Sequence, residues 1–134
     1  MLFIDTFCYK IRDRMVSNSL VYDKAYDFAI RIVNAFRFLQ NEKREFILSK
    51  QLLRSGTSIG ANIAEANGAI SDNDFSAKMS IAYKECLETK YWLDLLKDTN
   101  YIDEKIHKSM YEQADEIGKI LFSILKKMRV NKNI

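Results

Sequence analysis

A glutamate and a histidine three positions apart have the spacing in this sequence that best fits catalytic chemistry. Glu104 and His107 match the Glu-x-x-His motif of di-metal carboxylate sites in helical bundles. Such a site needs that motif on two helices, and His107 is the only histidine in the chain. The sequence therefore predicts no metal site and no cofactor. We expect the His107 side chain, in the first turn of its helix, to be solvated.

Nucleophilic catalysis has equally little support in the residue types. A reactive cysteine or serine needs a base and an orienting group beside it. Cys86 falls on an apolar seam and is expected to be a buried structural thiol. Ser55 and Ser58 have no histidine near them in sequence, and residues 56–60 lack the strand and Gly-Lys-Ser ending of a phosphate loop. We therefore expect a protein that is not an enzyme.

Charged residues occur where they are expected to pair or to be solvated. Arg54 and Glu65 flank a group of small residues, a position in which charges usually pair across a helix interface. Glu85 and Glu88 lie near Lys84 and Lys90 and suggest a solvated or intersubunit ionic face.

The C-terminal cations are the residues whose charge could contact RNA phosphates without sequence preference. They are Lys126, Lys127, Arg129 and Lys132. The other interpretation is a solubilising helix end, whose positive charge suits the helix dipole. Without these four residues and residues 1–14, the chain keeps 14 basic and 16 acidic residues, a net charge of −2. Most of the basic character therefore lies in the ends of the chain.

Length and composition predict the elements that must position these residues. A chain of 134 residues, 48% of them apolar, can build one continuous core. Four glycines and no proline leave little of the turn chemistry that sheets require. We therefore expect an all-α fold, an antiparallel up-down four-helix bundle, because helices joined by short links alternate in direction.

Apolar residues spaced by threes and fours predict helices over about 20–40, from the mid-forties to 66, over 73–98 and over 104–129. The third helix has the most regular seam, formed by Phe75, Met79, Ala82, Cys86, Thr89, Leu93 and Leu96. The fourth is expected to use Ile106, Met110, Gln113, Ile117, Ile120 and Ile124. Asp103 and residues 71–74 supply the expected N-caps.

Two additional apolar stripes flank the seams. They consist of Tyr22, Tyr26 and Ile30 on the first helix and of Tyr83, Leu87 and Tyr91 on the third. Each stripe indicates either a second contact surface or a wide core, and the sequence leaves both interpretations open.

Small residues crowd the middle of the second helix. Glycine costs about 1 kcal/mol relative to alanine inside a helix, so a close contact must offset Gly56 and Gly60. Their spacing of four places both on one face, where another backbone can approach. The predicted residues for helix or oligomer packing are Ser55, Gly56, Gly60, Ala61 and Ala64. The alternative is a break into two helices near Gly56.

Residues 1–14 precede the regular pattern and are predicted to extend a bundle domain that spans 15–134. They are interpreted either as a short extra helix or as an upstream extension of a frame that starts at Met15. The apolar run 2–4 has no basic residue before it, unlike a secretory signal. No apolar stretch approaches the ~20 residues of a membrane span, and no C-x-x-C pair occurs, so we expect a cytoplasmic protein without a membrane partner.

The segment from Leu53 to Ala66 closely resembles the signature of the 23S rRNA intervening-sequence proteins, a bacterial four-helix-bundle family. The similarity continues through Phe75-x-x-Lys78-x-x-Ile81-Ala82-x-x-Glu85, Glu88-Thr89 and Asn100-Tyr101-Ile102, so it covers about residues 18–129. The positions typical of the family are Arg54, Ser58, Asn62 and Glu65, for which the resemblance implies no catalytic role.

The resemblance implies a protomer that forms a ring-shaped homopentamer whose molecular role is unassigned. Similar bundles serve as accessory factors of diversity-generating retroelements, which bind RNA and a reverse transcriptase through a basic outer surface. Many members have Ser-Ile-Pro where this chain has Ser58, Ile59 and Gly60. The net charge of −2 outside the ends also contrasts with the basic retroelement factors and weighs against RNA binding.

Overall fold

A computed structural model describes the backbone of residues 2–132 and the side chains of residues 19–130. It contains α1 (Leu2–Asn41), α2 (Leu48–Asn67), α3 (Asp72–Asp98) and α4 (Glu104–Lys132). Each helix packs on the two that neighbour it around the bundle, so α1 lies diagonally opposite α3 and α2 opposite α4. The predicted antiparallel up-down four-helix bundle is confirmed, and α2 passes through Gly56 without a break.

The core confirms the predicted seam of α3 at every position. All seven seam residues are buried, from Phe75 to Leu96. The seam predicted for α4 needs a correction, because Ala114 and Leu121 are fully buried while Gln113 and Ile120 are only partly covered. The stripe of α4 is therefore turned slightly from the predicted one, since small Ala114 and Gly118 face Cys86 on α3.

Glycine lets α2 approach α1 closely. A Cβ atom at Gly56 would lie 2.7–2.9 Å from three side-chain carbons of Ile32, which is fully buried. At Gly60 the nearest atoms belong to Ala25 and would lie at 3.7 Å, an ordinary van der Waals separation. The close contact expected of the small residues is therefore made within the chain at Gly56.

The helices begin at side-chain caps. The Ser71 hydroxyl accepts a hydrogen bond from the Asp74 N–H at 3.0 Å, and the Asp103 carboxylate accepts one from the Ile106 N–H at 2.8 Å. Both confirm the predicted capping segments. Nothing in the sequence analysis anticipated the cap of α2, where Glu45 accepts the N–H groups of Ile47, Leu48 and Ser49 at 3.1, 3.0 and 2.6 Å.

The connection between α1 and α2 reverses the chain through Arg44, whose φ is +54°. Backbone hydrogen bonds hold the reversal: the Glu42 N–H donates to the Phe38 carbonyl and the Glu45 N–H to the Leu39 carbonyl, both at 2.9 Å. This left-handed conformation is uncommon for a residue with a side chain. The backbone of the connection is therefore ordered by its own hydrogen bonds.

The N-terminal segment 2–14 belongs to α1. Side chains before residue 19 lie outside the described residues, so the proposed division into 1–14 and 15–134 stays a prediction. Over the residues that the structure describes, no helix combines the length and apolar content that crossing a bilayer requires.

The two glycines of α2 make a matched pair for testing the α1–α2 contact. Gly56→Ala and Gly60→Ala gain the same helix propensity, about 1 kcal/mol, but only the first overpacks Ile32, at a cost of about 1–3 kcal/mol. We expect Gly60→Ala to equal or exceed the wild type in free energy of unfolding and Gly56→Ala to lie about 1–3 kcal/mol below Gly60→Ala. Urea unfolding at one protomer concentration measures the difference. Equal stability of the two variants would show that Ile32 accommodates the methyl group.

The Glu45 cap predicts a dependence of stability on pH. Burial alone would raise the pKa of Glu45, but the hydrogen bonds from the backbone N–H groups outweigh it and lower the pKa below its ordinary value of 4.5. Its stabilisation is therefore complete above about pH 4.5 and is lost as the pH falls through the folded pKa. We expect Glu45→Gln to lower the free energy of unfolding by about 1 kcal/mol at pH 7. The difference should shrink in acid; a difference that is constant from pH 7 to pH 3 would contradict this role.

Candidate interaction surfaces

The polar residues of the α2 motif hold α2 on α3. The Arg54 guanidinium lies 3.2 Å from a Glu85 carboxylate oxygen and also pairs with Glu88. About three helical turns farther along α2, Glu65 pairs with Lys78 at 2.8 Å. The predicted pairing of Arg54 and Glu65 across a helix interface is confirmed. Glu85 and Glu88, expected on a solvated or intersubunit face, are thus engaged within the chain.

Ser58 and Asn62, the remaining motif residues, bond to their own helix. The Ser58 hydroxyl donates to the Arg54 carbonyl at 2.6 Å, and the Asn62 amide donates to the Ser58 carbonyl at 2.8 Å. One donor of each side chain is thus satisfied within α2. Of the four motif residues, Arg54 and Glu65 therefore join α2 to α3, whereas Ser58 and Asn62 bond within α2.

The predicted packing residues divide between the interior and the surface. Ser55 is fully buried, Gly56 is buried, and Gly60 is partly covered by α1. Ala61 and Ala64 are exposed. Since Ala64 follows Gly60 by one turn, it continues the line of small residues along α1 to the outside of the bundle.

Cys86 is a structural thiol, as predicted. Its side chain is fully buried, and its Sγ donates to the Ala114 carbonyl at 2.9 Å. Burial raises the pKa of Cys86 to about 11. The thiolate, which is the nucleophilic form, is therefore rare at neutral pH.

His107 is less solvated than expected, because its ring lies between two side chains. Its Nε2 is 2.7 Å from an Asp94 carboxylate oxygen, and its ring centroid is 5.2 Å from that of Tyr111. In the part of the chain that the structure describes, no three His, Cys, Asp or Glu side chains come together as a metal site would require. Glu104 and His107 therefore do not belong to such a group.

The two apolar stripes reach the surface. On α1, Tyr22 and Tyr26 stack with their rings 6.2 Å apart, and Tyr26 and Ile30 are 57% and 49% exposed. We call these three residues the α1 surface. On α3, Leu87 and Tyr91 are 47% and 58% exposed, and Tyr83 contacts the exposed Phe122 of α4 with ring centroids 6.0 Å apart. These four residues are the α3 surface.

The C-terminal cations lie at the end of α4. Lys126, Lys127 and Arg129 are exposed, and the first two border an open depression with Ser123 and Val130. The side chain of Lys132 lies outside the described residues.

A second group of cations, which the sequence analysis did not single out, surrounds the connection between α1 and α2. Arg37, Lys43, Arg44 and Lys50 are all exposed. The signal was available in the sequence, because residues 37–50 contain these four cations and only two acids, Glu42 and Glu45. We call the four the hairpin cations.

The up-down architecture and a motif that packs α2 against both of its neighbours define a small all-helical bundle protein. The chain belongs to the 23S rRNA-intervening sequence protein family, whose model matches residues 17–123. It is also similar to the crystal structure of a protein of unknown function from the S23 ribosomal protein family of Bacteroides thetaiotaomicron. That protein is 53% identical, with a TM-score of 0.81 over 82% of this chain and 98% of the other. No curated protein matches the sequence. The family expected from the α2 motif is confirmed.

The environment of Cys86 predicts a slow thiol. In a Cys8→Ser variant, which leaves Cys86 as the only cysteine, we expect an aromatic disulfide reagent at pH 8 to react with the native protein at less than about a hundredth of its rate with the urea-unfolded chain. Both the raised pKa and the lack of access slow the reaction. Comparable rates in the two states would show that Cys86 is reached by solvent and that its thiol is not locked in the core.

Proposed function

We propose that the chain is a non-enzymatic, cytoplasmic protein that assembles with copies of itself. The assembly we propose is the ring-shaped homopentamer that its family implies. The observation that carries the proposal is the presence of two exposed apolar surfaces on opposite faces of one protomer. Exposed apolar patches on a small domain are typical of protein contacts.

The opposite placement of the two surfaces follows from an ion pair and a hydrogen bond between α1 and α4. Lys24 and Arg31 of α1 reach Glu116 and Gln113 of α4, both at 2.7 Å. Helix geometry places Tyr22 and Tyr26 on the far side of α1 from these residues, along its edge with α2. The α3 surface lies along the edge of α3 with α4, as the Tyr83–Phe122 contact requires.

Two different surfaces on opposite faces favour a head-to-tail contact. In such a contact the α1 surface of one copy meets the α3 surface of the next, and a repeated rotation closes a ring. A single self-complementary surface would instead give a dimer. Ala64 is exposed one turn beyond Gly60 on the α1 side of α2, and its small side chain would leave space for a side chain of the neighbouring copy.

The fate of the polar residues supports a role without catalysis. Arg54 is paired with two glutamates, Cys86 is held protonated in the core, and the His107 ring contacts Asp94 and Tyr111. Each of these three side chains thus makes a contact between two helices of the bundle.

An RNA contact by the C-terminal cations is the second candidate function. Lys126, Lys127 and Arg129 are exposed, and no ion pair engages them among the described residues. Such a contact would be electrostatic and weaken steeply with salt. A retroelement accessory role would need the same property, together with a protein partner.

Two surface variants test the head-to-tail assembly. We expect light scattering to give the wild type a mass of five times the 15.7 kDa protomer. Tyr26→Glu and Leu87→Glu should each give lower masses, because each places a charge in one half of the contact. Ile70→Glu, which changes an isoleucine that is 94% exposed and outside both surfaces, is the control and should keep the wild-type mass.

Mixing the two defective variants distinguishes the contact types. Tyr26→Glu keeps an intact α3 surface and Leu87→Glu an intact α1 surface, so a mixture can form one good junction and should give a heterodimer. A mixture that stays monomeric would contradict a head-to-tail contact. A monomeric wild type at micromolar concentration would contradict self-assembly itself.

A further inference from the structure

The hairpin cations and two exposed phenylalanines share one end of the bundle. Arg37 lies four residues before the end of α1, Lys43 and Arg44 lie in the connection, and Lys50 lies in the first turn of α2. Phe38 and Phe46 are 38% and 47% exposed within the same segment. Cations interleaved with accessible aromatic rings are the chemistry that binds single-stranded nucleic acid.

The hairpin cations are not neutralised by the bundle. Among the described residues none of the four forms an ion pair, and the Lys43 ammonium lies over the Phe38 ring at 5.9 Å. Of the two acids in the segment, Glu45 accepts hydrogen bonds from backbone N–H groups with both of its carboxylate oxygens. Glu42 is thus the one acid of residues 37–50 whose carboxylate is not committed to a cap.

The other connection at this end of the bundle has no such excess. Residues 97–108 carry Lys97, Lys105 and Lys108 against Asp98, Asp103 and Glu104. The excess of positive charge at this end therefore comes from the α1–α2 hairpin. The N-terminus of α2 is not available to bind a phosphate, because its first N–H groups already donate to the Glu45 carboxylate. Phosphate contacts at this end would therefore come from the hairpin cations.

Arg44 supplies an observation that is separate from charge. It has a φ of +54°, a conformation that glycine or asparagine adopts at lower cost. The arginine side chain contributes nothing to this backbone conformation, which the hydrogen bonds of Glu42 and Glu45 hold. Residues held in sparsely populated backbone conformations cluster at functional sites, which supports a role for the Arg44 side chain outside the hairpin backbone.

We propose that the α1–α2 hairpin binds single-stranded nucleic acid, with Arg37, Lys43, Arg44 and Lys50 contacting phosphates and Phe46 stacking on a base. The inference goes beyond self-assembly and does not depend on it. It also locates the contact at the opposite end of the bundle from the C-terminal cations. Duplexes keep their base faces covered, so the stacking contribution is available only from a single strand.

Fluorescence anisotropy of the full chain with a labelled 20-nucleotide single-stranded RNA tests the site between 50 and 200 mM salt. The variant Lys43→Gln/Arg44→Gly removes two cations while relieving the left-handed conformation. We expect it to bind on the order of tenfold more weakly at 100 mM salt, with a log–log salt slope smaller by about 1.4. Its thermal unfolding temperature should equal or exceed that of the wild type.

Two further variants separate the contributions. Phe46→Ala should weaken binding about fivefold or more and leave the salt slope unchanged, because stacking releases no counterions. The matched control Lys84→Gln/Lys105→Gln removes two exposed cations of α3 and α4 that belong to no proposed contact, and it should bind as the wild type does. The variant Lys126→Gln/Lys127→Gln measures the contact of the C-terminal cations separately. Binding to the duplex of the same sequence should be weaker. Single-stranded DNA of the same sequence shows whether the site prefers RNA among single-stranded nucleic acids.

Several outcomes would overturn the site. They are no binding by the wild type at 50 mM salt, unchanged affinity in either hairpin variant, equal affinity for duplex and single strand, or loss of binding confined to the C-terminal variant. Light scattering on every variant reports self-assembly separately. A failure of assembly and a failure of nucleic-acid binding are therefore told apart.

Discussion

The close approach of α2 to α1 at Gly56 is the contact on which the rest of the bundle depends. The missing side chain lets the Ile32 side chain lie against the α2 backbone, so the two helices pack at a distance that any larger residue would increase. This distance sets the position of α2, and α2 in turn presents Arg54 and Glu65 to the charges of α3. The glycine that costs helix stability thus determines where the polar motif makes its contacts.

The charged residues of the motif act as links between helices. Arg54 and Glu65 join α2 to α3, and Lys90 joins α3 to α4 through Asp115 at 2.7 Å. These pairs are partly exposed, so each contributes modestly to stability and more to the orientation of the helices. With the interior links satisfied, the surfaces that remain are the two apolar surfaces along the sides and the cations at the ends.

These remaining surfaces occupy different parts of one protomer and are compatible with each other. A head-to-tail ring would use the edges of the bundle, whereas the α1–α2 hairpin lies at one end and stays accessible. A ring would also bring several hairpins to the same side of the assembly. Weak electrostatic contacts with one strand would then add through multivalency, without any new contact within a protomer.

Periodic patterns in the sequence determined the helices and the buried seam of α3, because burial of an amphipathic face follows directly from residue spacing. The family was indicated by the resemblance of the α2 motif. The caps at Ser71 and Asp103 were equally local and equally readable. The role of Glu45 could not be read from the sequence, because a capping side chain usually belongs to the N-cap residue. Here the N-cap residue is Ile47, and the capping carboxylate comes from two residues earlier. Residue spacing also could not place Ala114 rather than Gln113 in the core. That choice depends on the small residues Ala114 and Gly118 of α4, which contact Cys86 on α3.

Tertiary packing decided which small residues of the α2 motif are buried and which are exposed. It also decided that the charges of the motif form pairs within the chain. Which neighbour a side chain meets depends on helix rotation and separation, and these are properties of the assembled bundle.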